Sequence, residues 1–68
     1  MPNLTKVRLA RLGKPVGDIE IVTESEFVGE EYSARAARRF YPDKKLDNKA
    51  CAEFKITDVL SSRKISGL

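Results

Sequence analysis

The apolar residues of this chain change their spacing twice, and that change limits the folds open to it more than any other feature. From Leu4 to Leu12, Thr5, Val7 and Leu9 alternate with Lys6, Arg8 and Ala10. This period of two belongs to a strand with one buried face. Ile19 and Ile21 alternate with Asp18, Glu20 and Val22 in the same way, and the stretch Gly13-Lys-Pro-Val-Gly17 between the two segments reads as a hairpin loop longer than the tight two-residue type. Ala52, Phe54 and Ile56 return to period two against Glu53, Lys55 and Thr57, which predicts a third strand over 52–60.

Between the second and third strands the period is helical. Thr23-Glu-Ser-Glu26 has the form of a capping box, which places a helix start there, and a start near Gly29 or Glu30 is the alternative. At 100° per residue, Glu24, Glu31, Arg35, Arg38 and Arg39 share one sector. Phe27, Val28, Tyr32, Ala34, Ala36, Ala37, Phe40 and Tyr41 occupy most of the remainder. Pro42 disfavours helical geometry at the residue before it, so the helix ends near Tyr41. Residues 43–49 read as a polar connection. The expected fold is therefore α+β, a small ββαβ domain whose antiparallel sheet has three strands and one amphipathic helix on one face. Residues 1–60 form the domain, and 61–68 are a tail or a short fourth strand on an edge.

At 68 residues the chain has room for one domain. Eighteen residues are Leu, Ile, Val or Phe, about a quarter, which is above the roughly 20% below which disorder is expected. A domain of this size buries only about 60% of its unfolded surface, so a partner or a second copy can complete its stability.

The same composition narrows the chemistry. There is no His, which removes the commonest acid/base group at neutral pH and the commonest metal ligand. A lone Cys51 can form neither an internal disulfide nor a Cys-rich zinc site. Carboxylate pairs such as Glu20 with Glu53, or Glu30 with Glu31, have basic residues nearby and read as solvated surface groups. Gly13 and Gly17 frame a loop instead of opening a helix after a strand, so no phosphate cradle is predicted. These absences point away from an enzyme, and no cofactor or metal is expected. The single unpaired thiol suits a reducing compartment, and charges interrupt every apolar run near the N-terminus, so the expected location is the cytoplasm, with no membrane partner.

Charge is distributed unevenly. Residues 18–31 hold six acids and no base, whereas residues 32–50 hold six bases and two acids. Acids at the start of the helix and bases at its end suit the helix dipole, and Glu31 with Arg35 is a favourable i,i+4 pair. The functional candidate is the cluster Arg35, Arg38, Arg39, Lys44, Lys45 and Lys49. Such a cluster can dock an acidic protein or hold phosphates of DNA or RNA with little base specificity. Tyr32 and Tyr41 fall in or beside the apolar sector and read as core more than as stacking platforms. The outer face of the sheet, with Lys6, Arg8, Glu20, Glu53 and Lys55, carries mixed charge that can pair across strands.

A sheet of three or four strands also leaves an edge able to accept a strand from a partner, or from a second copy as a homodimer. A single helix argues against helix-turn-helix and ribbon-helix-helix DNA binders, and no cold-shock or swapped-hairpin motif can be quoted. The sequence thus points to a non-enzymatic interaction protein, a small regulator or inhibitor, that docks a protein through the basic cluster and a strand edge. Weakly specific nucleic-acid binding by the same cations is the alternative.

Overall fold

Three antiparallel strands form one sheet in the order β2-β1-β3, with Asn3–Arg11 as β1, Lys14–Thr23 as β2 and Phe54–Lys64 as β3. This computed structural model describes residues 2–26 and 28–65. The helix α1 (Glu31–Phe40) packs on one face, and a single helical turn, α2 (Asn48–Cys51), precedes β3. The α+β architecture with one amphipathic helix on an antiparallel sheet is the one the periodicities imply.

The first hairpin is tighter than its glycines suggest. Arg11 pairs with Lys14, and the turn is Leu12-Gly13 alone, with φ of 50° and 81°. Two consecutive positive φ values match the right-handed twist of the flanking strands; Gly13 adopts its value freely, whereas Leu12 does so at a steric cost. Residues 14–17 of the predicted loop are instead part of β2, interrupted where Leu9 pairs with Gly17 and Ala10 with Pro15. Pro15 lies on an edge strand opposite Ala10, where a missing N–H breaks no ladder bond. Gly17 has φ of 154°, and a Cβ there would lie 3.0 Å from the Phe40 ring. The helix therefore closes directly onto the backbone of β2.

The helix begins at Glu31, as in the alternative reading, and not at the Thr23 box. Thr23 ends β2, and its hydroxyl donates to the Ser25 carbonyl at 2.6 Å while meeting the Thr5 hydroxyl at 2.8 Å. Pairing with β1 holds it in extended geometry, and this outcompetes the local capping signal. Glu30 occupies the cap without a side-chain bond, and Tyr32 N–H and Ser33 N–H donate to Gly29 and Glu30 carbonyls instead. The helix ends at Phe40 with Tyr41 as its C-cap, in non-helical geometry as Pro42 requires. Phe27, placed on the apolar face by its spacing, lies outside the described residues.

The core consists of Val7, Leu9, Ile21, Phe54, Tyr32, Ala36 and Ala37, flanked by Val16, Ile19, Val28, Phe40, Tyr41, Leu46 and Ile56. The two fully buried alanines let the helix backbone approach the sheet closely. At the far end of the same sheet face the core turns polar. Asn3 Nδ2 donates to Ser62 Oγ at 3.0 Å, Ser62 and Thr5 hydroxyls meet at 2.9 Å, and Thr5 meets Thr23. Because the Thr23 proton is committed to the Ser25 carbonyl, the direction of every link is determined: Ser62 donates to Thr5, and Thr5 donates to Thr23. One chain of donors thus ties all three strands together.

Two further expectations change. The connection 43–49 contains the start of α2, because the Asp47 side chain accepts from Ala50 N–H at 2.7 Å and caps a turn. Cys51 is buried at the end of that turn, and β3 begins at Phe54 instead of Ala52. Ser61–Lys64, read as a tail or a fourth strand, extend β3 along β1, and Ile65 N–H donates to the Pro2 carbonyl. Residues 66–68 lie outside the described residues.

Candidate functional site

The six cations of the predicted cluster divide by what they touch. Arg35 Nη1 donates to the Val22 carbonyl at 2.9 Å, and Arg39 Nε donates to the Glu20 carbonyl at 2.7 Å. Both acceptors are on β2, an edge strand, and their carbonyls point away from β1. The two guanidinium groups therefore close hydrogen-bonding positions that an incoming strand would use. Arg35 also lies 5.1 Å from the Tyr32 ring centroid, and does not pair with Glu31 as the i,i+4 spacing predicts. The buried Tyr32 ring and the outward-pointing Val22 carbonyl of the edge strand together hold the planar guanidinium, in place of the solvated Glu31 carboxylate.

Arg38 takes the other direction. Its Nε reaches the Leu46 carbonyl and its Nη2 the Asn48 side chain, both at 3.3 Å. This ties the end of α1 to the loop that carries Lys44 and Lys45 and to the turn α2 that carries Lys49. Lys44 lies 5.3 Å from the Tyr41 centroid. Tyr41 in turn packs on Phe40 at 5.1 Å and on Phe54 at 5.9 Å, so the loop rests on an aromatic cluster continuous with the core. Lys45 and Lys49 are exposed. Arg38, Lys44, Lys45 and Lys49 thus belong to one end of the molecule, whereas Arg35 and Arg39 belong to the β2 edge.

The tyrosines serve the core. Tyr32 is buried, and its hydroxyl accepts from Glu24 N–H at 3.1 Å. The outer face of the sheet pairs its charges as alternation suggests: Arg8 with Asp18 at 3.4 Å, and Lys6 opposite Glu20. Arg11 meets Glu53 at 2.7 Å and lies 5.6 Å from the Phe54 centroid. Among the described residues no group of three or more His, Cys, Asp or Glu could hold a metal ion, and no helix is long and apolar enough to cross a membrane.

The other edge of the sheet has a different cover. Alternation along β1 directs its even residues toward β3, so the N–H and C=O groups of β3 residues opposite odd positions point outward. Ile56, opposite Leu9, is one of these, and its N–H donates to Ser33 Oγ of α1 at 3.3 Å. Val59 and Ser62, opposite Val7 and Thr5, follow the same rule and have no such cap. Between them β3 holds an extra residue, Leu60, and Thr57 is a second extra residue nearer its start. Residues 58–64 are exposed except for half-buried Ser62; Val59 is 40% and Leu60 37% exposed. A shallow groove lined by Val28, Gly29, Glu30, Ile56, Thr57, Asp58 and Val59 runs beside this segment.

Sequence reasoning anticipated an open edge without indicating which one. It missed Ser33 and the edge role of Arg35 and Arg39, since both depend on where α1 crosses the sheet. The Asp47 cap, by contrast, was available from Asp47 and Ala50 three residues apart. No protein-family model, curated protein or solved structure matches the chain.

Proposed function

We propose that this chain is a small non-enzymatic interaction protein, of regulator or inhibitor type, working in the cytoplasm. It docks a macromolecular partner through the basic end of α1, the loop after it, and the free edge of β3. The observation that carries this reading is the unequal treatment of the two edges: α1 spends Arg35 and Arg39 on closing β2 and leaves β3 open beyond Ile56. An open edge supplies main-chain hydrogen bonds to a strand, and Arg38, Lys44, Lys45 and Lys49 supply the charge that steers an acidic surface. The cytoplasmic assignment rests on the single unpaired thiol of Cys51.

Affinity capture followed by mass spectrometry, with nuclease treatment, tests the reading. Val59→Pro blocks the edge, and Lys44→Glu with Lys45→Glu and Lys49→Glu inverts the basic end. Each variant should lose the partner; capture unchanged by both would overturn the proposal.

The alternative, weakly sequence-specific nucleic-acid binding, is supported by Arg38 and the three lysines sharing one end with Asp43 and Asp47 as the nearby acids in sequence. Four phosphate contacts give a log K against log[salt] slope of about −4. Absence of DNA and RNA binding at low salt would eliminate this alternative.

A further inference from the structure

We infer that the strand taken up by the β3 edge is β3 of a second copy, in a two-fold antiparallel pair that extends the sheet to six strands. The inference rests on the docking reading above and names the occupant of its open edge, leaving the basic end of each copy to another partner.

The register follows from three independent requirements. Paired residues must both present their N–H and C=O groups outward, their side chains must lie on the same sheet face, and their charges must not repel. Val59 and Ser62 both point their backbone groups outward, and both lie on the helix-covered face, opposite Val7 and Thr5. A two-fold axis between Leu60 and Ser61 pairs Val59 with Ser62 of the second copy. The same axis sets Asp58 opposite Arg63 of the second copy. These two lie on the outer face, opposite Arg8 and Leu4, and form a pair without ladder bonds, where side chains approach most closely. The symmetry repeats the contact, giving two Asp58–Arg63 pairs per dimer.

Within one chain these charges have no competing partner. Arg8, which faces Asp58 across the strands, turns to Asp18 on the other side, and neither Asp58 nor Arg63 makes an ion pair among the described residues. The extra residue Leu60 lies at the centre, so both copies bend alike and the ladder stays in step on either side. Pairing also covers Val59 and Leu60, two of the four exposed large apolar residues among the described residues. Turning the axis about Ser62 instead would set Arg63 against Ser61 and Lys64 against Leu60, with no opposite charges in contact.

Light scattering or sedimentation equilibrium of the purified chain, from about 10 μM to 1 mM, tests this. The mass should rise from 7.6 kDa toward twice that value. Asp58→Arg and Arg63→Asp should each weaken the dimer about tenfold or more, since each creates two like-charge pairs. The double variant D58R/R63D should recover to within about threefold of the wild type. Val59→Pro, which removes an outward N–H and no bond to β1, should remain monomeric with an unchanged circular dichroism spectrum. A monomer at every concentration, a double variant as weak as the singles, or a Val59→Pro chain that dimerises normally would overturn the self-pairing. A wild-type monomer that still captures a partner lost on Val59→Pro would overturn only the identity of the occupant. A dimer whose inverted basic end costs no partner would overturn the docking reading and leave the dimer standing.

Discussion

The two edges of this sheet are finished in opposite ways. Along β2, two arginines from α1 bond the Glu20 and Val22 carbonyls, and Pro15 removes a further donor. Along β3, Ser33 reaches Ile56 N–H, and the strand then continues past the helix to Lys64 without cover. A ten-residue helix is too short to guard both edges of strands of this length. Closing one edge with cations while leaving the other open lets a strand add on one side and discourages open-ended stacking on both.

The difference between the edges is most vulnerable at Gly17. Gly17→Ala forces a side chain into a backbone conformation with φ of 154° and against the Phe40 ring, which holds α1 over β2. A loss of about 2 kcal/mol is expected in urea denaturation. Hydrogen exchange should quicken in β2 and α1 before it does in the pairing of β1 with β3. Equal quickening everywhere would mean that the helix guards both edges as one unit.

Thr5→Val should act on the opposite side. It keeps the shape of the side chain but removes the hydroxyl that accepts from Ser62 and donates to Thr23. A loss of about 1 kcal/mol is expected. Amide protection at Ser61 and Arg63 should fall, because the far end of β3 lies beyond the helix and depends on this chain of donors. Unchanged protection there would show that the ladder to β1 alone retains it.

The smallest change in stability is at the two arginines that cap β2. Arg35→Ala with Arg39→Ala removes two exposed hydrogen bonds, about 0.3 kcal/mol each. Introduced into the Val59→Pro chain, whose β3 edge is blocked, the pair should restore concentration-dependent association through β2. Continued monomeric behaviour would show that the arginines do not close that edge.

Much of the fold could be read from short-range pattern. Period-two stretches around Val7, Ile21 and Phe54 became strands, and the 100° sector of Tyr32, Ala36 and Phe40 became the core face of α1. The errors occurred where a local signal met a stronger neighbour. Thr23 has capping chemistry but pairs with Asn3 across the hairpin, and Leu12 carries no turn signature yet takes a left-handed φ because the strands on either side demand it. Of the basic cluster, spacing on one helix face grouped Arg35, Arg38 and Arg39 together. Their side chains are long enough to diverge, so Arg35 and Arg39 reach one strand while Arg38 reaches the following loop.

Short-range pattern sets the alternation of the strands, the buried stripe and end of the helix, and the separation of acidic from basic segments. Each of these follows from backbone geometry and the solvation of neighbouring side chains, which act over a few residues. Which edge α1 closes and which it leaves open is set by long-range packing. That outcome depends on the close seating of Ala36, Ala37 and Phe40 on the sheet, which carries Arg35 and Arg39 over β2 and leaves Asp58, Val59 and Arg63 uncovered.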